Sequence, residues 1–269
     1  MNALEKALFA AIGTDTNKDI DQYPADVSAF RMPRGQFREA AKRMKMAGAR
    51  LVAEWATDET PFNRGLGIYA CYEKDSEYLI VKTYAPLEDP TFPSITKKFV
   101  PAYRFERQMK SLMGVIPLDH PDQRPWIKHE DWPEDAFPLR KSFDPAKPLQ
   151  RVSGKYEWIR AEGEGVYEIP VGPVHAGIIE PGHFRFQAVG EDIINLEERL
   201  GYVHKGIEKR FEGIAWIDGV RLAARVSGDT TVAHSLAYCR ALEAMTGSNP
   251  PERGLWVRAL MLERERIAN

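Results

Sequence analysis

Proline restricts the middle of this chain more than any other residue type does. Between residues 115 and 149 the prolines include Pro117, Pro121, Pro125, Pro133 and Pro138. Proline has no amide hydrogen to donate and its ring clashes with the preceding helical turn, so long helices and central strands are excluded there. We therefore predict an extended tail strapped over a surface. With 269 residues in the chain, two domains are expected. The boundary between them is placed near residues 145–154.

The half before the prolines has the pattern of an α+β domain with an antiparallel sheet. A short N-terminal amphipathic helix, a polar proline-containing segment at 15–34 and a second helix, GQFREAAKRMKMAG, lead to Gly48 as a helix stop. The segments ARLVAEWATD, LGIYACYEK and EYLIVKTYAP are rich in β-branched and aromatic residues, which predicts consecutive antiparallel strands. Residues 99–113 repeat apolar side chains at helical spacing before Gly114, which predicts a one-sided helix.

The half after the prolines is predicted to begin with a small β-hairpin region and to end in helices. YEWIRAEGEGVYEIPVGP and HFRFQAVGEDIINLEERLGYVHKG resemble strands around Gly-Glu turns. An apolar stripe in 232–245 predicts a helix that stops at Gly247. The last helix has no terminating glycine or proline, so we expect a fragment of a longer protein, with a natural end as the alternative. Apolar surface such as Trp256 and Leu260 is then expected to be exposed.

Composition narrows the classes of function. A net charge of −2 with 28% charged residues gives no electrostatic reason to expect a nucleic-acid partner. No apolar run approaches the roughly 20 residues that cross a bilayer, so a cytoplasmic protein without its own transmembrane segment is predicted. Cys71 and Cys239 are the two cysteines, and without a CxxC motif the chain alone cannot assemble a cysteine-ligated cluster or a structural zinc site. No phosphate-binding loop or nucleophile elbow is present.

Candidate chemistry lies in the second half. His175 follows a Gly-Pro pair that can present a side chain at a hairpin tip, although an ordinary turn fits equally well. His204 and Glu208 would share a helix face if one helix includes both. His234 and Tyr238 have the same four-residue spacing, and such a pair either relays protons or simply packs.

Several segments resemble one superfamily of redox complexes, in the same order along the chain. ITKKFVPAYRFERQMKSLMGV, DHPDQR and FPLRKSF resemble the end of the 30-kDa subunit of respiratory complex I and its hydrogenase counterparts. IPVGPVHAGIIEPGHFRFQAVGEDI, YVHKGIEK and RVSGDTTVAHSLAYCRALEAMTG resemble the start of the large subunit of formate-hydrogenlyase-type hydrogenases and of the 49-kDa complex I subunit. The resemblance implies a 30-kDa-subunit-like domain at 1–145, a linker with the first strands at 146–170, and a truncated large-subunit-like domain at 171–269. It also implies that the helix with Glu106 and Arg107 and the arm at 138–141 clamp a partner subunit.

The sequence departs from these hydrogenases at the metal-binding loop. Where they carry a CxxC, this chain has Ser227-Gly228-Asp229-Thr230, and the hydroxyls of Ser227 and Thr230 are not the soft thiolate ligands that nickel and iron need. No metal is therefore expected. The large subunit of complex I has also lost those cysteines and uses the space for quinone, and Tyr238 falls at the position of its quinone-binding tyrosine. The second loop histidine of complex I is absent after His175.

The resemblance implies an electron-transfer subunit of a membrane-associated, energy-converting NADH dehydrogenase (quinone)-like or hydrogenase-related complex, inactive alone and without its own Ni-Fe centre. Its expected partners are an iron-sulfur small subunit that holds the Fe-S clusters, and membrane-arm subunits that keep it on the inner face of the cell membrane. No cofactor is expected to bind directly, with quinone as a candidate. Two alternatives are a non-catalytic assembly or scaffold protein, or truncated fragment, and a formate hydrogenlyase hydrogenase large subunit.

Six side chains are assigned roles on this basis. His175 and Tyr238 would line the former active-site cavity. The candidate proton carriers are Glu180, His204, Glu208 and His234.

Overall fold

The chain divides into two compact units, residues 1–157 and 158–269. The structure is a computed structural model, and it describes residues 3–12, 27–128, 131–154, 156–174 and 180–269. Several helices and several sheets are present, which confirms the predicted α+β class. The domain boundaries proposed at 145 and 170 stay predictions. The division into compact units describes packing and does not say which family each unit resembles.

The first unit is built on a four-stranded sheet in the order β1-β4-β3-β2. The strands are β1 (Val27–Arg31), β2 (Arg50–Asp58), β3 (Leu66–Lys74) and β4 (Glu77–Ala85). The pairings of β2 with β3 and of β3 with β4 are antiparallel, as predicted. β1 instead runs parallel to β4, so the sheet is mixed and the prediction of an antiparallel sheet is wrong at this edge. Its five residues lie in the segment interpreted as polar, and their short pattern gives little signal.

In the described part of the first unit, three helices and a small parallel pair of strands accompany this sheet. They are α1 (Ala3–Ile12), α2 (Phe37–Met46), α3 (Ala102–Met113), and the strands β5 (Thr91–Pro93) and β6 (Ile116–Leu118). Single 3-10 turns occur at Arg34–Gln36 and Thr60–Phe62. α1 and α2 contribute Leu4, Leu8, Phe37 and Met44 to one hydrophobic core, all fully buried. Gly48 and Gly114 adopt positive φ after α2 and α3, which confirms both predicted helix stops.

The proline-rich segment lies against its own unit. Leu139 donates its amide to the Leu112 carbonyl at 3.0 Å, and Arg140 donates from Nε to the Met113 carbonyl at 2.9 Å. The Lys141 amide reaches Asp58 Oδ2 at 2.7 Å. The prediction of an extended tail strapped over a surface is confirmed for the described residues.

The second unit has a three-stranded antiparallel sheet followed by helices. Its elements are β7 (Val166–Val174), β8 (Gly182–Val189), β9 (Asp192–Arg199), α4 (Ile207–Arg210), α5 (Trp216–Ala223), α6 (Thr231–Thr246) and α7 (Glu252–Ala268). α6 ends at Gly247 with φ of 65°, as predicted. Trp256 is 70% exposed and Leu260 is 61% exposed, which confirms the expected apolar surface on α7.

Candidate functional site

The loop Ser227–Thr230, which the resemblance predicts to stand in place of a CxxC motif, is held by its own hydrogen bonds. Ser227 Oγ donates to Asp229 Oδ1 in a short contact, and this bond lowers the pKa of the Asp229 carboxyl. Thr230 occupies the N-cap position of α6, and the neighbouring Thr231 hydroxyl donates to the Gly228 carbonyl at 3.0 Å. The loop therefore presents hydroxyls and a carboxylate, a donor set that does not suit a thiolate-bound Ni-Fe centre.

The end of α7 closes over this loop. The Glu265 carboxylate accepts the amides of Val232 at 2.5 Å and Ala233 at 3.0 Å, in the first turn of α6. Asn269 Nδ2 donates to the Asp229 carbonyl at 2.7 Å. A carboxylate at a helix N-terminus satisfies free amides and complements the helix dipole. α7 thus fixes the start of α6 and the shape of the loop before it.

Tyr238 lies on α6, two helical turns after the loop. Its hydroxyl donates to the Trp216 carbonyl at 2.9 Å, and its ring stacks on Phe211 with centroids 5.6 Å apart. A Cβ added to Gly219 would lie 2.0 Å from the Tyr238 oxygen, so α5 approaches this side chain closely. His234 is half-buried on the same helix, so the predicted spacing on one helix is confirmed, while both proposed roles stay predictions.

The condition under which His204 and Glu208 would share a helix face, one helix that includes both residues, is not met. α4 begins only at Ile207, because Gly206 adopts φ of 63° and interrupts the backbone before it. His204 lies in the preceding turn, where its Nδ1 accepts the Gly206 amide at 3.2 Å. Glu208 is exposed in the first turn of α4. The two side chains therefore belong to different local structures.

Lys205 is a residue of this region that sequence reasoning missed. Its Nζ donates to the Val226 carbonyl at 3.0 Å and lies 3.7 Å from Glu180 Oε1. It thereby links the residue before Ser227 to one of the predicted proton carriers. The only sequence signal was its place in YVHKGIEK, next to His204. His175 falls outside the described residues, so its position relative to this cluster stays a prediction.

The described ranges contain neither a cluster of metal ligands nor a membrane-spanning helix. In those ranges no group of three or more His, Cys, Asp or Glu side chains is arranged to hold a metal ion. Cys71 and Cys239 are unpaired and lie in different units. No helix within the same ranges has the length and apolar character needed to cross a membrane.

In the first unit, Glu106 and Arg107 bind their own chain. Glu106 is fully buried, and Arg107 is 4% exposed and donates to the carbonyls of Arg124 at 3.1 Å and Pro125 at 3.2 Å. Its Nη1 is 3.3 Å from Asp122 Oδ2. These two side chains are therefore turned inward, so any partner contact through α3 has to use its other side chains.

Comparison with known proteins relates both halves of the chain to redox complexes. Residues 30–148 match the family "Respiratory-chain NADH dehydrogenase, 30 Kd subunit". The chain is 36% identical to formate hydrogenlyase subunit 5 of Escherichia coli, over 82% of this chain and 40% of that protein. It is 34% identical to hydrogenase-4 component G of the same organism, over 79% of this chain and 40% of that protein.

A third relative is an NADH-quinone oxidoreductase subunit of Bacteroides thetaiotaomicron. It is 27% identical, over 76% of this chain and 42% of that protein. The chain thus spans about two fifths of the length of the curated relatives it matches. Residues 30–148 are thus similar to the complex I 30-kDa subunit, and the chain is similar to part of a formate hydrogenlyase subunit, of a hydrogenase-4 component and of an NADH-quinone oxidoreductase subunit.

Proposed function

We propose that this chain is an electron-transfer subunit in the cytoplasmic arm of a membrane-associated, energy-converting complex, and that it holds no Ni-Fe centre of its own. The observation that carries the proposal is the loop Ser227–Thr230, whose side chains are hydroxyls and a carboxylate, with Ser227 hydrogen bonded to Asp229 and the Gly228 carbonyl bound by the Thr231 hydroxyl. Hydroxyls stay protonated near neutral pH and do not replace thiolates as ligands of nickel or iron. The homologues, which are complex I-like and hydrogenase subunits, support the choice of complex.

In this proposal the electrons come from an iron-sulfur subunit that binds next to this chain. A four-iron cluster needs about four cysteine ligands, whereas this chain has two cysteines in separate units. Membrane-arm subunits would hold the assembly on the inner face of the cell membrane. The names of the homologues, among them an NADH-quinone oxidoreductase subunit, support an assembly of this kind.

Nickel content of the complete complex tests the proposal directly. We expect a complex purified through a tag on this chain to contain iron from its partners and no stoichiometric nickel. Inductively coupled plasma mass spectrometry gives both contents from one sample. One nickel per complex would contradict the proposal and would support the alternative of a formate hydrogenlyase hydrogenase.

Quinone is the electron acceptor that we propose, and Tyr238 is its proposed hydrogen-bond donor. A tyrosine hydroxyl can stabilise the negative charge that develops on a carbonyl oxygen during reduction. The Tyr238 hydroxyl is 2.9 Å from the Trp216 carbonyl, so it would exchange this acceptor for the quinone oxygen. His175, which lies outside the described residues, is proposed as the second side chain of the cavity. The candidate proton carriers are Glu180, His204, Glu208 and His234.

Replacing Tyr238 by Phe in the complete complex is expected to lower quinone reductase activity by at least about tenfold, because a hydrogen bond to a developing charge contributes about 1.5–3 kcal/mol. Tyr167→Phe is the matched control, since the Tyr167 hydroxyl also donates to a backbone carbonyl, that of Gly190. Turnover of the control variant should stay at the wild-type level. Equal activities of Tyr238→Phe and wild type would remove the quinone role and favour a scaffold, while the nickel result would still stand for the absence of a Ni-Fe centre.

A further inference from the structure

The core of the first unit contains two carboxyls and a phenol that the redox proposal does not use. Glu54 on β2 is 4% exposed, and Tyr72 on β3 and Glu106 on α3 are fully buried. Within the described part of the chain, neither oxygen of Glu54 nor the hydroxyl of Tyr72 has a hydrogen-bond partner. A buried carboxylate without hydrogen bonds is far more costly than a neutral acid.

Glu106 differs from Glu54 because it is hydrogen bonded. It accepts the Ile95 amide at 2.6 Å and the Thr96 hydroxyl at 3.0 Å, and His120 Nε2 lies 3.8 Å from its Oε2. Burial raises the pKa of Glu106, and these donors oppose that shift. Glu106 is therefore better prepared than Glu54 to carry negative charge.

The surrounding charges disfavour ionisation of Glu54. Burial, and then the charge of Glu106 across the α3 contact, raise the pKa of the Glu54 carboxyl well above its ordinary value. Burial, Glu54, Glu106 and Cys71 raise the pKa of Tyr72 in the same way. On the α2 side, the Lys45 ammonium lies over the ring of Phe99, 5.5 Å from its centroid. It is not hydrogen bonded to Glu54.

The far end of β2 offers no group that would compensate a negative charge on Glu54. Asp58 is the next carboxyl along this strand, and it is bound to the amide and hydroxyl of Thr60 and to the Lys141 amide. The elements around Glu54 thus contribute a second acid on α3, a phenol on β3, and groups on α2 and β2 that are engaged with other partners. A proton is the ligand that removes the unfavourable charge.

We propose that Glu54 and Tyr72 form a proton-binding site in the core of the first unit, and that loss of the Glu54 proton loosens the packing of α3 on β2. α3 packs along β2, so a carboxylate formed between them has to gain water or separate the two elements. The site would make the docking of α3, and of the arm that α3 holds, sensitive to pH.

The direction of the effect follows from linkage. A group whose folded pKa lies above its unfolded value stabilises the fold fully below the unfolded pKa, about 4.3 for glutamate, and loses that contribution as pH rises through the folded pKa. Within this window the equilibrium constant for opening should rise by up to about tenfold for each pH unit. Alkaline conditions should therefore open the α3 contact.

Hydrogen exchange of α3 and β2 amides in the whole chain tests the proposal, after correction for the intrinsic exchange rate. From about pH 4, near the unfolded pKa of glutamate, to about pH 9, wild-type protection of these amides should fall at least tenfold. Glu54→Gln, which keeps the shape but cannot ionise, should show no such fall. Glu88→Gln makes the same chemical change on an exposed residue and should behave as wild type.

Two results would overturn the proposal. One is wild-type protection that stays constant over the pH range, a result that does not depend on any variant folding. The other is a Glu54→Gln protein whose α3 protection falls as steeply as that of wild type, which would place the titrating group elsewhere.

Discussion

Replacing Arg107 by Ala should cost the first unit about 3–5 kcal/mol of stability, because one partner of a buried ion pair is removed. The Arg107 guanidinium donates to two backbone carbonyls and lies 3.3 Å from Asp122. It also lies over the rings of Tyr103 and Trp126, at 5.3 Å and 5.2 Å from their centroids. The substitution leaves both carbonyls without this donor and removes the packing of the side-chain stem.

Native-state hydrogen exchange of the slowest β3 amides measures this loss for the first unit alone. Arg104→Ala is the matched control, because Arg104 is on the same helix and also faces Trp126, at 5.3 Å, but is exposed. An exposed cation–π contact contributes about 0.5–1 kcal/mol. Similar losses in the two variants would show that Arg107 does not hold the segment after β6 in place.

Asp122→Asn should destabilise the same unit by about 3 kcal/mol at neutral pH, since the Arg107 guanidinium loses its counter-charge. The Asp122 carboxylate is 10% exposed and accepts the Tyr103 hydroxyl at 2.7 Å and Arg124 Nη2 at 2.8 Å. Burial opposes ionisation, but the hydrogen bonds from Arg124 and Tyr103 and the charge of Arg107 outweigh it, so the pKa of Asp122 is lowered.

A lowered pKa fixes the pH dependence of this contribution. It is fully present above the unfolded value, about 3.9 for aspartate, and is lost as pH falls through the folded pKa. The difference between wild type and Asp122→Asn should therefore be constant from neutral pH to about pH 4 and shrink below it. Asp119→Asn is the control, because the ion pair of Asp119 with Arg38 is exposed and should contribute less than about 1 kcal/mol. A difference that persists unchanged in acid would contradict the assignment.

Local patterns predicted the regular elements well wherever the pattern was long. β3 and β4 are nine residues long and rich in apolar and aromatic side chains, and α3 repeats its buried residues at helical spacing before Gly114. β1 was missed because only Phe30 and Ala29 of its five residues are buried. Whether a helix includes both His204 and Glu208 was left open, and Gly206 decides it by interrupting the backbone before α4.

The contacts that shape the candidate sites were beyond sequence reasoning because they join distant residues. Glu265 reaches the first turn of α6 from 33 residues downstream, and Arg107 meets carbonyls 17 and 18 residues away. Glu54 was recognisable as a carboxyl in an apolar strand, yet its burial depends on where α3 packs. The type of side chain at Ser227 and Thr230, in contrast, was read directly from the sequence.

The parallel pairing of β1 with β4 has a consequence for the order of folding. β1 ends at Arg31, and its partner strand begins at Glu77, so a growing chain cannot complete this edge until β4 has left the ribosome. β3 and β4 meet through a short turn and can pair early, whereas the parallel contact closes a long loop and is expected to form late. Until then β1 is not paired with the sheet and is available to chaperones.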